Sequence, residues 1–248
     1  MTTFVLIPGA GGDPAYWSLL VPELERRDHT AIPVDVPQHD ASTGIQDHVQ
    51  TVLEAMTAKD APSGEKLVVV AQSMGAFIGP VVCTRVPADL LVLLNPMIPS
   101  PGETASEWWS ATGSSAARRE AGWDDFDVAR DFFHDVPDDL AAEILANGDR
   151  EPSDRSFAEP WPLDAWPEVR TAVIAGTDDR IFPIAFQRRV AQDRLGLDPY
   201  EMPGGHLVAL SRPSELADQL EALVRDQVGK KSPESSRTLS KTRGARSA

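Results

Sequence analysis

The sequence predicts an α/β domain in which a mainly parallel sheet carries helices on both faces and is interrupted once by a helical insertion. Three observations point there. Short apolar runs at residues 3–7, 30–36, 67–70, 90–94 and 171–175 alternate with segments of helical apolar spacing. Several of these runs are apolar throughout, as strands buried on both faces are. Between about Pro96 and Trp166 strand-like runs vanish and polar helical segments replace them.

Residues 3–7 (TFVLI) read as a buried strand that stops at Pro8 and enters a glycine-rich loop, Gly9, Ala10, Gly11, Gly12. Such a loop turns backbone N–H groups toward an anion, a phosphate or an oxyanion. The G-x-G-x-x-G spacing is absent, and no Gly-Lys-Ser/Thr follows, so neither a dinucleotide fingerprint nor a P-loop is present. Residues 16–26 read as an amphipathic helix despite Pro22, residues 30–36 as the second strand and 37–44 as a loop. Ile45, Val49, Val52, Leu53 and Met56 give residues 45–59 helical spacing, and Pro62, Ser63 and Gly64 break the chain. Residues 67–70 form the next strand, which runs through Ala71 and Gln72 to Ser73, Met74 and Gly75 and into a helix-compatible segment ending near Val86. Residues 90–94 (LLVLL) are again a buried strand.

The insertion is expected to hold helices around 103–121, 124–134 and 137–147, and it carries Trp108, Trp109, Trp123, Trp161 and Trp166 of the six tryptophans. As a cap over the sheet edge it would line an apolar pocket, with Trp108, Trp109 and Trp123 the candidate wall residues. The sheet resumes at residues 171–175 and ends in Gly176, Thr177, Asp178, Asp179. A helix at 184–195 and a short strand at 199–202 lead to Pro203, Gly204, Gly205, His206, and a last helix covers 213–228. The expected organisation is a core of residues 1–96 and 167–228, a helical cap at 97–166, and a disordered basic tail at 229–248.

A chain of 248 residues, 42% hydrophobic, is enough for one sizeable core. A net charge of −15 argues against nucleic acid as a partner, since phosphates would be repelled. The single cysteine, Cys83, excludes an intramolecular disulfide and, beside Val81 and Val82, reads as a buried structural thiol. The N-terminus lacks a signal-peptide pattern, and no apolar run approaches the roughly 20 residues of a membrane span. A soluble cytoplasmic protein with no membrane partner is expected.

Chemistry gathers at strand ends. Ser73 stands at a strand–turn–helix apex, where a nucleophile elbow needs small residues two positions before and after. Those positions are Ala71 and Gly75, the alanine standing where glycine is usual. Serine needs a base, and a histidine base needs a carboxylate to fix its tautomer. His206 follows the last strand, and Asp178 or Asp179 follows the one before it. His29, His39, His48 and His134 read as surface residues.

At these residues the chain resembles the α/β-hydrolase superfamily, and within it the plant methylesterase and hydroxynitrile lyase branch with its bacterial esterase relatives. The resemblance rests on FVLIPGAGGDPAYW, AQSMG, GTDDRIFPIAFQRR and MPGGHLVALSRPSELAD, and is weakest in the cap. It implies Ser73 as nucleophile, Asp179 rather than Asp178 as acid, His206 as base, the backbone N–H groups of Ala10 and Met74 as oxyanion hole, and no cofactor or metal. Lyase members resemble one another in a threonine at the position of Ala10 and a lysine after the catalytic histidine, here Leu207. The reading is therefore a serine hydrolase acting on a small, largely apolar carboxylic ester. A lyase or perhydrolase on the same fold and a non-catalytic small-molecule binding protein are the alternatives. A small-molecule ester is the expected partner, and homodimerisation stays open.

Overall fold

The structure, a computed structural model, describes residues 1–59, 65–146 and 150–225. The expected break at 62–64, Asn147 and the tail at 229–248 lie outside the described residues. Six strands form one sheet: β1 Thr2–Ile7, β2 Thr30–Pro33, β3 Lys66–Gln72, β4 Leu90–Leu94, β5 Thr171–Gly176 and β6 Tyr200–Met202. Their order is β2-β1-β3-β4-β5-β6 and every pairing is parallel. The chain moves outward from β1 to β2 and then returns past β1 to β3. That reversal opens a crevice at the carboxyl ends of β1 and β3. The register pairs Ile7 with Ala71, so the glycine-rich loop and the Ser73 turn leave the sheet side by side.

The strands alternate between two cores. Val5, Ile7, Val69, Ala71, Leu91, Leu93 and Val173 face one side, where α2 Ile45–Ala58, α3 Gly79–Cys83 and α9 Ile184–Leu195 pack. Phe4, Leu6, Val68, Val70, Val92 and Ile174 face the other, under α1 Leu20–Glu25 and α11 Pro213–Arg225. Burial on both faces is why the strands read as uninterrupted apolar runs.

Between β4 and β5 lie α4 Ala105–Thr112, α5 Ser114–Glu120, α6 Val128–Phe132, α7 Asp138–Ala146 and α8 Asp154–Ala158; α10 Val208–Ser211 follows β6. The helix expected at 103–121 is two, because Gly113 adopts a left-handed φ of 68° that ends α4. The expected helix at 124–134 shrinks to the five residues of α6, and α8, with Ser153 as its cap, gave no periodic signal. Likewise the segment at 16–26 splits: Asp13 caps a 3-10 turn at Pro14–Trp17, and Pro22 sits in the first turn of α1, where a missing N–H costs little. The segment after Ser73 also divides, into a 3-10 turn at Ser73–Phe77 and α3.

His48 is not a surface residue. It is 2% exposed on the inner face of α2, with Nε2 3.1 Å from Thr43 Oγ1. Cys83 is partly buried, and burial pushes its thiol up to about 12. Among the described residues no helix is long and apolar enough to cross a membrane.

Helix α3 can approach β3 only because of Gly79. A Cβ there would lie 2.7 Å from the Cβ of Ala71, so the methyl that departs from the usual glycine is accommodated by the glycine at position 79. Gly79→Ala is expected to destabilise the protein by about 1–3 kcal/mol, and Ala71→Gly in the same chain should restore much of the loss. Independent, additive effects in urea unfolding would contradict this coupling.

Burial holds His48 below the ordinary imidazole value of 6.5, against the opposing pull of Glu159 and Asp47. The unfolded chain therefore takes up this proton at higher pH than the folded one. The stabilising contribution is complete above the unfolded value and declines as pH falls from there toward the folded one. Between about pH 7 and 5 the wild-type Tm should fall more steeply than that of His48→Gln. Parallel curves would show that His48 does not carry this pH dependence.

Candidate active site

Ser73 begins the turn after β3 with φ 51°, in the left-handed region that a residue with a Cβ avoids. The strain, about 1–3 kcal/mol for such a residue, persists because neighbours hold it. Met97 N–H donates to Ser73 O at 3.0 Å, and Gly75 packs so closely on β1 that a Cβ there would lie 2.7 Å from Pro8 O. Gln72 Oε1 accepts from Gly9 N–H at 2.9 Å and fixes the glycine-rich loop beside the turn.

His206 and Asp179 arrive from the ends of β6 and β5. His206 Nδ1 lies 2.8 Å from Asp179 Oδ2, both side chains wholly buried. A carboxylate only accepts, so Nδ1 carries the proton and Nε2 is left as the basic nitrogen. Asp179 Oδ1 accepts from the backbone N–H of Ile181 at 2.7 Å and of Phe182 at 2.9 Å, and Gln187 Nε2 adds a longer contact to Oδ2 at 3.4 Å. Asp178 points elsewhere: its Oδ2 accepts from Gly204 N–H at 2.9 Å. Of the two adjacent acids, the structure thus brings Asp179 to the histidine. The rings of Phe132 and Phe182 stand edge-on to the imidazole, each 5.1 Å away, and Nε2 is buried without a hydrogen-bond partner among the described residues.

Ser73, His206, Gly9 and Ala10 open onto one cavity of about 300 Å³. Its walls are largely aromatic: Tyr16, Trp109, Phe126, Phe132, Phe133 and Phe157, joined by Leu207. Arg150 also borders it, with Nη2 donating to Asp35 Oδ1 at 2.7 Å. Two larger depressions, of about 730 and 550 Å³, contain neither Ser73 nor His206.

Of the three tryptophans expected on the pocket wall, Trp109 alone lines this cavity. Trp108 is fully buried against Phe182 and Phe186, and its indole N–H donates to Ile98 O at 2.9 Å. Trp123 lies under the guanidinium of Arg180, 4.5 Å from its ring centre, in the cleft of about 550 Å³. Composition singled out tryptophans, while four phenylalanines that the sequence reading did not single out, Phe126, Phe132, Phe133 and Phe157, line the wall.

Sequence reasoning also passed over Asn95. It directly follows β4 with φ 43° and is fully buried. Its Nδ2 donates to Gly205 O at 3.1 Å and His206 O at 3.0 Å, and its Oδ1 accepts from Gly176 N–H at 2.7 Å. Asparagine tolerates the left-handed region better than most residues and holds a donor and an acceptor in one short side chain. The Asn-Pro pair signals a turn in sequence but not these partners. Asn95→Ala leaves Gly205 O and Gly176 N–H unpaired and His206 O with Gln72 alone, and should cost about 2–4 kcal/mol by thermal or urea unfolding. A loss below about 1 kcal/mol would mean that these bonds are easily replaced.

The chain matches the alpha/beta hydrolase family over residues 4–219. It is 23% identical over 253 residues to norfluorocurarine synthase 1 from a Strychnos species, spanning 89% of this chain and 94% of that one. It is 25% identical over 254 residues to alpha-hydroxynitrile lyase from Arabidopsis thaliana, spanning 90% and 97%. Among solved structures, polyneuridine aldehyde esterase superposes with a TM-score of 0.70 at 20% identity, covering 90% of this chain and 99% of that one. A six-stranded parallel sheet with its polar side chains gathered at the strand ends, and a family match running through nearly the whole described chain, place this protein in the alpha/beta hydrolase family.

Proposed function

We propose that the protein is a serine hydrolase that cleaves a small, largely apolar carboxylic ester through an acyl-enzyme. The observation that carries this reading is the His206 imidazole: its Nδ1 is bonded to buried Asp179, and its Nε2 is unpartnered beside a cavity that Ser73 shares. In this reading Nε2 takes the Ser73 proton as Oγ attacks the ester carbonyl. Asp179 holds the tautomer and offsets the imidazolium charge. The N–H groups of Ala10 and Met74 receive the oxyanion, each such donor contributing about 3 to 4 kcal/mol in sites of this kind. His206 then protonates the departing alcohol, and water attacks the acyl-enzyme by the same route. No step in this sequence calls for a metal or organic cofactor.

The aromatic cavity supports a neutral apolar substrate, and its size lies at the low end of the roughly 300–1,000 Å³ of small-molecule pockets. One similar protein is named an esterase and another a hydroxynitrile lyase. Ester hydrolysis is favoured over cyanohydrin cleavage because Leu207, directly after the histidine, presents an apolar side chain to the cavity. Arg150, the one cation lining it among the described residues, is paired with Asp35. Incubation with a fluorophosphonate followed by intact mass should give a single adduct, absent in Ser73→Ala. The same preparation should turn over p-nitrophenyl acetate and release no cyanide from mandelonitrile. An unlabelled wild-type protein would move the non-catalytic binding reading ahead.

A further inference from the structure

The loop that presents His206 is held by side chains from four places. Asp178 accepts from Gly204 N–H, Asn95 donates to the carbonyls of Gly205 and His206, and Gln72 Nε2 donates to His206 O at 3.3 Å. These three stand at the ends of β5, β4 and β3. The fourth comes from the helices between β4 and β5. Asp135, in the turn after α6, accepts the N–H of Gly205 on its Oδ2 at 2.7 Å. The turn presses on that glycine: a Cβ on Gly205 would lie 2.6 Å from His134 Nε2 and 2.7 Å from Asp135 Oδ1. Immediately before Asp135 the chain supplies Phe132, edge-on to the His206 ring, and Phe133, both on the cavity wall.

We infer that Asp135 is a positioning residue for His206, through which the wall of the cavity and the base are held in one geometry. The inference rests on the serine-hydrolase reading and adds to it a group remote from the reacting atoms. A substrate packed on Phe132 and Phe133 bears on the same turn that fixes the backbone N–H next to the base. Asp135 is otherwise poorly placed for a purely structural role, since its buried Oδ1 has no hydrogen-bond partner among the described residues and only a distant contact, 3.9 Å, with His134 Nε2. A carboxylate in that state is costly unless its one strong bond serves something.

The test measures the second-order rate of fluorophosphonate labelling of Ser73, and kcat and KM for p-nitrophenyl acetate, in Asp135→Ala and Asp135→Asn, with Tm for each. Asparagine keeps a carbonyl acceptor for Gly205 N–H, and alanine removes it. Asp135→Ala should label about tenfold more slowly and lose kcat with KM little changed, because a base displaced by a fraction of an ångström acts more slowly on substrate bound as before. Asp135→Asn should recover at least half of both rates. Asp135→Ser, which is small and polar but too short to reach Gly205 N–H, gives the same reading if the alanine variant does not fold. Rates within twofold of wild type in the alanine or serine variant, whatever the Tm, would overturn the inference, as would equal loss in the alanine and asparagine variants. A wild-type protein that takes no label overturns the hydrolase reading instead and carries this inference with it.

Discussion

Dryness at the carboxyl end of the sheet governs the rest of the structure. His206 and Asp179 lie almost out of reach of solvent among phenylalanine rings, where an unpaired polar group costs far more than a single hydrogen bond normally contributes. Every polar atom brought there must be given a partner by the protein. Asp179 Oδ1 receives two backbone N–H groups, its Oδ2 receives the imidazole, and the carbonyls flanking His206 receive Asn95 and Gln72. Such a network makes one arrangement much better than its neighbours, which fixes the tautomer and direction of the His206 ring.

Against that background the bare Nε2 of His206 is informative. A fold that satisfies a main-chain carbonyl with two side-chain amides leaves one imidazole nitrogen without a bond, beside the cavity that also holds Ser73. Strain runs the same way: Ser73 keeps a left-handed φ although the residue has a Cβ, and the close packing of Gly75 on β1 and Gly79 on β3 holds it there. Unsatisfied and strained groups meeting at one crevice are the expected sign of a site shaped for something other than stability.

The fold was legible because its strands are short, apolar throughout and separated by helices of clear period; β4 and α9 fall on the expected residues. Ser73, Asp179 and His206 stood out in the sequence as candidate chemistry at strand ends, and the resemblance, rather than spacing, favoured Asp179 over Asp178 as the partner that the structure brings to His206. The cavity wall was not legible. Helices of five to nine residues with many polar positions carry little periodicity, and which aromatic faces inward depends on how they dock. Trp108 shows the difficulty: its size made it a candidate, and the same size makes it the centre of the packing among Phe182, Phe186 and Trp109. His48 was misread because its surroundings come from Thr43 and the loop before α2, which spacing along a helix does not reveal.

The helices between β4 and β5 do more than roof the cavity, and a second set of contacts makes the point independently of Asp135. Burial pushes the Asp131 carboxyl up, but Arg130, the Asp127 N–H and Arg118 outweigh burial and hold it well below the usual carboxylate range. Arg118, fixed by that carboxylate, donates from Nη1 to Arg180 O at 2.6 Å, while Arg180 Nη1 donates to Arg130 O at 2.9 Å. Arg180 directly follows Asp179. The Asp179 loop is thus tied to α5 and α6 by charge-assisted bonds, and the His206 loop to the turn after α6. A buried ion pair of this kind contributes little net stability but fixes register, because breaking one partner strands the other. Exchanging these helices to change which ligand fits would therefore also change how firmly Asp179 and His206 are held. Altered substrate preference and altered rate should come together in this fold, with wall substitutions at positions such as Phe157, away from both tethers, the ones able to separate them.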